Sequence, residues 1–184
     1  NSLSERALAR EGLARCAGES LRVLVGGLGL GHTAHEVLES PRVAAVDVVE
    51  YVPQIIGWFE DGLIPLAAEL REDPRFGVIE DDVYARLMRP ADLCYDLLLI
   101  DVDHAPDDPL TADSASFYTA EGLRRVSRHL TPRGVLAVWS YAPNADFEAT
   151  LREVFADVDT VSTLFQDDLF GEDDETNFLF LASG

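Results

Sequence analysis

The sequence predicts an α/β fold built on a mainly parallel sheet. Short, apolar, β-branched runs alternate with segments of helical periodicity along most of the chain. The first such run opens directly into a glycine-rich stretch that leads into a helix. The last two runs are separated only by a short acidic segment, so the sheet is expected to end in an antiparallel pair.

The elements follow in order. Residues 3–17 read as a helix, with Leu3, Ala7, Leu8 and Cys16 toward one side and arginines toward the other. Residues 21–26 (LRVLVG) form a buried strand, and a helix runs from about Thr33 to Leu38, ending before Pro41. A second buried strand is 43–49 (VAAVDVV), and 51–70 reads as helical with breaks at Gly62 and Pro65. Residues 76–80 form a third strand and 82–89 a short helix. Residues 95–101 (YDLLLID) give the clearest strand, apolar through 97–100 and closed by an aspartate.

Residues 102–116, with two prolines and four aspartates, read as a loop. A helix over 118–130 places Leu123, Val126 and Leu130 at core spacing, with T-P-R-G (131–134) as its exit turn. Residues 135–140 (VLAVWS) form the fifth strand, and Asn144 or Asp146 caps a helix reaching about Phe155. Runs 158–165 and 177–182 close the chain, with 167–175 as a solvated hairpin tip.

Composition bounds the function. The chain has 184 residues, 14 Lys+Arg against 34 Asp+Glu and a formal charge of −20. With 47% hydrophobic and 26% charged residues, it suits a domain with its own core, here 21–184 preceded by a helical segment 1–20. The acidic excess argues against nucleic acid and against an anionic membrane surface. All 14 basic residues are arginine, which removes Schiff-base chemistry, a phosphate-loop lysine and a lysine base. Cys16 and Cys94 form no C-x-x-C, and Cys94 reads as a small buried residue. There is no signal-type leader and no apolar run near the roughly 20 residues that span a bilayer, so the cytoplasm is the expected location.

The chemistry gathers at strand ends. Gly27, Gly29 and Gly31 form a G-x-G-x-G after the first strand, where bare backbone at a helix start lets a ligand approach. The spacing is not that of a dinucleotide fingerprint, because His32 holds the place three residues after Gly29. Asp47 is read as the acid at the end of strand two, 16 residues after Gly31 and near the position where such folds place a carboxylate on ribose hydroxyls; Glu50 is a neighbour able to share that role. Glu80, Asp81 and Asp82 follow strand three, and Asp101, Asp103 and His104 follow strand four. A lone acid at a strand end is an ordinary solvated residue. Several acids with a glycine loop on one edge point to a nucleoside site at the topological switch point.

The segments VLVGGLGLGH, AVDVVE, VIEDDV, YDLLLIDVD and FYTAEGLRRVSRHLTPRGVLAVW resemble, in this order, the spermidine synthase-like branch of the class I S-adenosylmethionine-dependent methyltransferase fold. The resemblance covers about residues 21–183. It implies a three-layer, Rossmann-like fold with a seven-stranded, mostly parallel sheet and a C-terminal antiparallel hairpin.

The resemblance also implies site roles. Gly27, Gly29 and Gly31 would pass beneath the amino-acid or aminopropyl part of S-adenosylmethionine or its decarboxylated form. Asp47 would bind the ribose, and Asp82, with Val83 beside it, the adenine. Asp101 would hold and deprotonate an attacking amine, so the implied acceptor is a small, cationic amine. Two positions depart from the pattern. Leu30 stands where the family has an aspartate that pairs with the ammonium of the decarboxylated cosubstrate, and His104 stands where a second aspartate helps hold the acceptor. The family's N-terminal β-domain has no counterpart in the matched segment. Leu30 shifts weight toward S-adenosylmethionine itself.

The leading expectation is thus a transferase that alkylates an amine or other small acceptor. The alternatives are a small-molecule methyltransferase and a noncatalytic nucleoside-binding or scaffold module. Asp103, His104 and Tyr118 are further substrate-contact candidates. His32 and His35 lack a third ligand at suitable spacing, so no metal is expected. Trp58, Phe59 and Trp139 read as packing residues. Oligomeric state is open, with a homodimer as one option.

Overall fold

The computed structural model describes residues 2–102, 105–108, 112–165 and 175–184. Seven strands form one sheet in the order β3-β2-β1-β4-β5-β7-β6. They are β1 (Leu21–Gly26), β2 (Val43–Glu50), β3 (Phe76–Glu80), β4 (Tyr95–Ile100), β5 (Leu130–Ser140), β6 (Asp157–Phe165) and β7 (Glu175–Ser183). β1 through β5 run parallel, whereas β7 lies antiparallel between β5 and β6.

The helices are α1 (Ser2–Arg15), α2 (His32–Leu38), α3 (Pro53–Glu60), α4 (Ala67–Glu72), α5 (Val83–Met88), α6 (Ala112–Phe117), α7 (Ala120–Val126) and α8 (Ala145–Arg152). Side chains alternate across the sheet with period two, which creates two cores. Val23, Val25, Leu97, Leu99, Val135, Ala137, Leu179 and Leu181 meet α1, α2 and α4 through Leu8, Leu13, Val37, Ala67 and Leu70. Leu24, Leu98, Ile100, Leu136, Val138 and Phe180 meet the other layer through Leu87, Leu123, Val126, Phe147 and Leu151. The three-layer arrangement follows, and α1 is built into the first core rather than lying apart from it.

Several boundaries differ from the sequence reading. β2 continues to Glu50, because that acid is buried and paired inside the protein. The segment read as a loop before Tyr118 contains α6. Thr119, in an extended conformation, separates α6 from α7 and caps α7 by accepting a hydrogen bond from the Gly122 N–H. T-P-R-G is not a helix exit turn. It lies within β5, where the register shifts between the pairs Tyr95–Leu130 and Leu97–Val135. Leu3 and Cys94 are exposed rather than buried. Phe59 is buried, but Trp58 is 54% exposed. The hairpin expected at the end is β6–β7; its tip, 167–174, lies outside the described residues. No helix among the described residues is long and apolar enough to cross a membrane.

Candidate functional site

The chain reverses direction across the sheet between β1 and β4, and the candidate site lies beyond the carboxyl ends of these strands. The Asp101 N–H reaches the Gly26 carbonyl at 3.4 Å. The next residue, Gly27, has φ 93°, and its N–H donates to the Val49 carbonyl at 2.8 Å. A Cβ on Gly27 would sit 3.2 Å from the Asp101 carbonyl oxygen. Glycine thus lets the β1 exit lie against the ends of β2 and β4.

Glu50 holds this edge together. Its Oε2 accepts from the Leu28 N–H at 2.9 Å, and its Oε1 accepts from the Val52 N–H at 2.7 Å. One buried carboxylate therefore ties the glycine loop to the turn after β2. A cavity of about 430 Å³ opens here. It is lined by Gly27 and Gly29 of the glycine loop, by Val49, Glu50, Tyr51, Val52 and Ile55 from the end of β2 onward, and by Asp82, Val83, Tyr84, Asp101 and Val102. Asp82 also caps α5, its Oδ1 accepting from the N–H groups of Tyr84 at 2.8 Å and Ala85 at 3.2 Å. The Asp101 side chain takes no hydrogen bond from a described residue. Burial, reinforced by the negative charge of Glu5, pushes its carboxyl up to about 7.

The structure brings together Gly27, Gly29, Asp82, Val83 and Asp101 of the expected residues. Gly31 and Asp47 are not among the cavity-lining residues. Gly31 caps α2 with φ 86°, and a Cβ there would come within 2.6 Å of Leu70 Cδ1, so its backbone serves the packing of α2 on α4. Asp47 sits inside β2, in register with Leu24 and Gly77, three residues before the strand end. Its Oδ2 accepts from the Tyr95 hydroxyl at 3.1 Å, and burial together with this carboxylate pushes the Tyr95 phenol up to about 12. Glu50 instead occupies the end of β2. The sequence named it only as a neighbour, because a buried acid at a strand end is indistinguishable there from a solvated one.

Tyr118 stands one layer behind the cavity. Its hydroxyl lies 3.3 Å from that of the cavity-lining Tyr84, and its ring meets Phe117 and Phe147 edge-on. Asp103 and His104 lie outside the described residues. Leu30 is 52% exposed. His35 Nε2 lies 2.9 Å from Glu69 Oε2 on the far side of α2. Tyr51, Val52 and Ile55 were not anticipated; their only sequence signal is that they directly follow the β2 acid.

This strand order, with a ligand-sized cavity at the switch point, defines a class I S-adenosylmethionine-dependent methyltransferase-like domain. Within that class the fold takes the spermidine synthase-like form. A spermidine synthase solved in complex with the transition-state analogue AdoDATO superposes with a TM-score of 0.77 at 20% identity, covering 100% of this chain and 61% of that one. The Thermotoga maritima spermidine synthase gives 0.75 at 17% identity, with 100% and 59% covered. Human methyltransferase-like protein 13 in complex with SAH gives 0.59 at 23% identity, with 100% and 79% covered.

In sequence, the chain is 36% identical over 123 residues to polyamine aminopropyltransferase 2 of Streptomyces coelicolor, covering 66% of this chain and 22% of that protein. It is 30% identical over 127 residues to a polyamine aminopropyltransferase of Prochlorococcus marinus, covering 69% and 43%. The chain thus spans only 22–43% of the length of these two curated relatives. No family model matches it.

Proposed function

We propose that this domain is a transferase that binds a sulfonium nucleoside, S-adenosylmethionine or its decarboxylated form, and alkylates a small amine. The observation that carries the reading is the convergence of Gly27, Gly29, Glu50, Asp82 and Asp101 on one cavity, whose volume of about 430 Å³ suits a nucleoside. The relatives named above as polyamine aminopropyltransferases support the amine acceptor. The adenine lies against Val83, with its amino group toward Asp82. The ribose hydroxyls meet Glu50, which takes the role expected of Asp47. The tail passes over Gly27 and Gly29 toward Asp101.

The chemistry suits these groups. The neutral amine nitrogen attacks the carbon bonded to sulfur, a C–N bond forms, the C–S bond breaks, and its electron pair returns to sulfur to leave a neutral thioether. The nitrogen must shed a proton, and Asp101 is the carboxylate placed to receive it. A carboxyl poised near 7 is charged often enough to act as base and basic enough to take the proton. A positioned base of this kind contributes roughly 10²–10⁴-fold.

Titration calorimetry with S-adenosylmethionine, its decarboxylated form and 5′-methylthioadenosine, followed by transfer assays on di- and polyamines, tests the reading. Binding of a sulfonium nucleoside and a fall of roughly 10²-fold or more in transfer for Asp101→Asn are expected. Binding of none of the three ends the transferase reading. Nucleoside binding without transfer to any acceptor leaves a noncatalytic nucleoside-binding module.

A further inference from the structure

Three consecutive acids, Glu80, Asp81 and Asp82, stand at the exit of β3, and of these Asp82 lines the cavity. Asp82 is the N-cap of α5, and the Arg86 N–H donates to its carbonyl at 2.8 Å. The two side chains are thus one helical turn apart, the spacing at which an acid and an arginine ordinarily pair. Here they do not. Arg86 lies 3.5 Å from Asp81 Oδ2 instead, and Arg89, further along the same helix, pairs with the same oxygen. Asp82 Oδ1 accepts from two N–H groups of α5, and its Oδ2 accepts from no described residue. Asp81 is itself firmly held. Its N–H donates to the Glu50 carbonyl at 3.1 Å, and its Oδ1 accepts from the Asp82 N–H at 2.9 Å. One carboxylate therefore ties the end of β2 and the start of α5 to both arginines.

We propose that Asp81 is a positioning residue for recognition of the base: by occupying Arg86 and Arg89, it leaves the Asp82 carboxylate unpaired, with Oδ2 available to the adenine amino group. This inference rests on the nucleoside reading of the cavity and deepens it, because it names what keeps the base-reading acid available. The physical reason is competition. A guanidinium within reach of a carboxylate forms a charge-assisted pair stronger than the bond a neutral exocyclic amine donates. If Arg86 took Asp82, the ligand would have to displace it. Asp81 prevents this by offering the arginines a carboxylate that does not line the cavity and whose other oxygen is bonded to the backbone.

The test uses 5′-methylthioadenosine and its 6-deamino analogue, in which hydrogen replaces the adenine amino group. The ratio of their dissociation constants reads the bond to Asp82 and leaves the tail and Asp101 out of the comparison. For the unaltered chain a ratio of about tenfold is expected, the scale of one charge-assisted hydrogen bond. Asp81→Asn keeps a side-chain oxygen for the Asp82 N–H but loses the charge that holds the arginines, and it should bring the ratio to within about twofold of unity. Adding Arg86→Gln and Arg89→Gln to that variant should restore a ratio of about tenfold, which a purely structural role of Asp81 would not do. A ratio unmoved by Asp81→Asn overturns the proposal, as does one that the triple variant fails to restore. With Asp81 kept, Arg86→Gln/Arg89→Gln should also stay near tenfold, so the proposal is tested even where Asp81→Asn does not fold. A collapse of the ratio there would mean that the arginines serve the base directly, and would overturn it. If the unaltered chain binds neither nucleoside, the reading of the cavity falls and this proposal with it. If it binds both equally, the cavity stands, and the role of Asp82, and so of Asp81, falls.

Discussion

Gly31→Ala separates a packing glycine from a ligand glycine. At φ 86°, an alanine adopts left-handed backbone at a cost of about 1–2 kcal/mol. Its Cβ would also lie 2.6 Å from Leu70 Cδ1, and Leu70 is only 1% exposed, so it cannot swing aside into solvent. Overpacking of that kind adds about 1–3 kcal/mol. The expected loss is therefore about 3 kcal/mol, read from urea unfolding followed by the fluorescence of Trp58 and Trp139. A double-mutant cycle divides the two causes. In a Leu70→Ala background, itself destabilised by about 2–5 kcal/mol, the clash is gone and Gly31→Ala should cost only the backbone share of about 1–2 kcal/mol. Nucleoside affinity of the folded Gly31→Ala protein should change little. Equal costs in both backgrounds would refute the contact with Leu70, and a loss below about 0.5 kcal/mol would refute the backbone argument too. A collapse of affinity with stability intact would return Gly31 to the ligand.

Two further predictions concern carboxylates. The folded pKa of Asp101, about 7, lies above its unfolded value near 3.9, so the native state holds the extra proton and stability falls as pH rises from about 4 through 7. Asp101→Asn removes this slope; compared by urea midpoint, its stability gain over the unaltered chain should be larger at pH 8 than at pH 5, and an equal gain at both would contradict the burial of the charge. Tyr95→Phe deletes the 3.1 Å bond to Asp47 and should cost about 1 kcal/mol while leaving nucleoside affinity unchanged. A loss of affinity in that variant would show that Asp47 belongs to the site after all.

The strands of this fold were legible because parallel, doubly buried strands are continuous apolar runs; β1 and β3 begin and end where the sequence placed them. What escaped was tertiary. Glu50 belongs to β2 only because the Leu28 and Val52 N–H groups, one of them from the preceding loop, satisfy its carboxylate. Without that knowledge the acid inside the strand, Asp47, looked like its end. The helical periodicity over 118–130 masked the break at Thr119, and turn-forming residues at 131–134 concealed an irregular strand start held by the pairing of Leu130 with Tyr95. Of the cavity-lining residues, Gly27, Gly29, Asp82 and Asp101 stood out in the sequence because each follows a strand, whereas Val83 entered only through the family resemblance.

The placement of β7 has a consequence for how the domain assembles. It follows β6 in the chain yet lies between β5 and β6, pairing over Val135–Ser140 on one side and over all of β6 on the other. Until residues 175–183 are available, β6 has no neighbour and β5 presents an open edge of unpaired amide and carbonyl groups. A nascent chain must therefore keep that edge unsatisfied until β7 is synthesised. During this interval, rather than in the finished molecule, edge-to-edge association is the hazard.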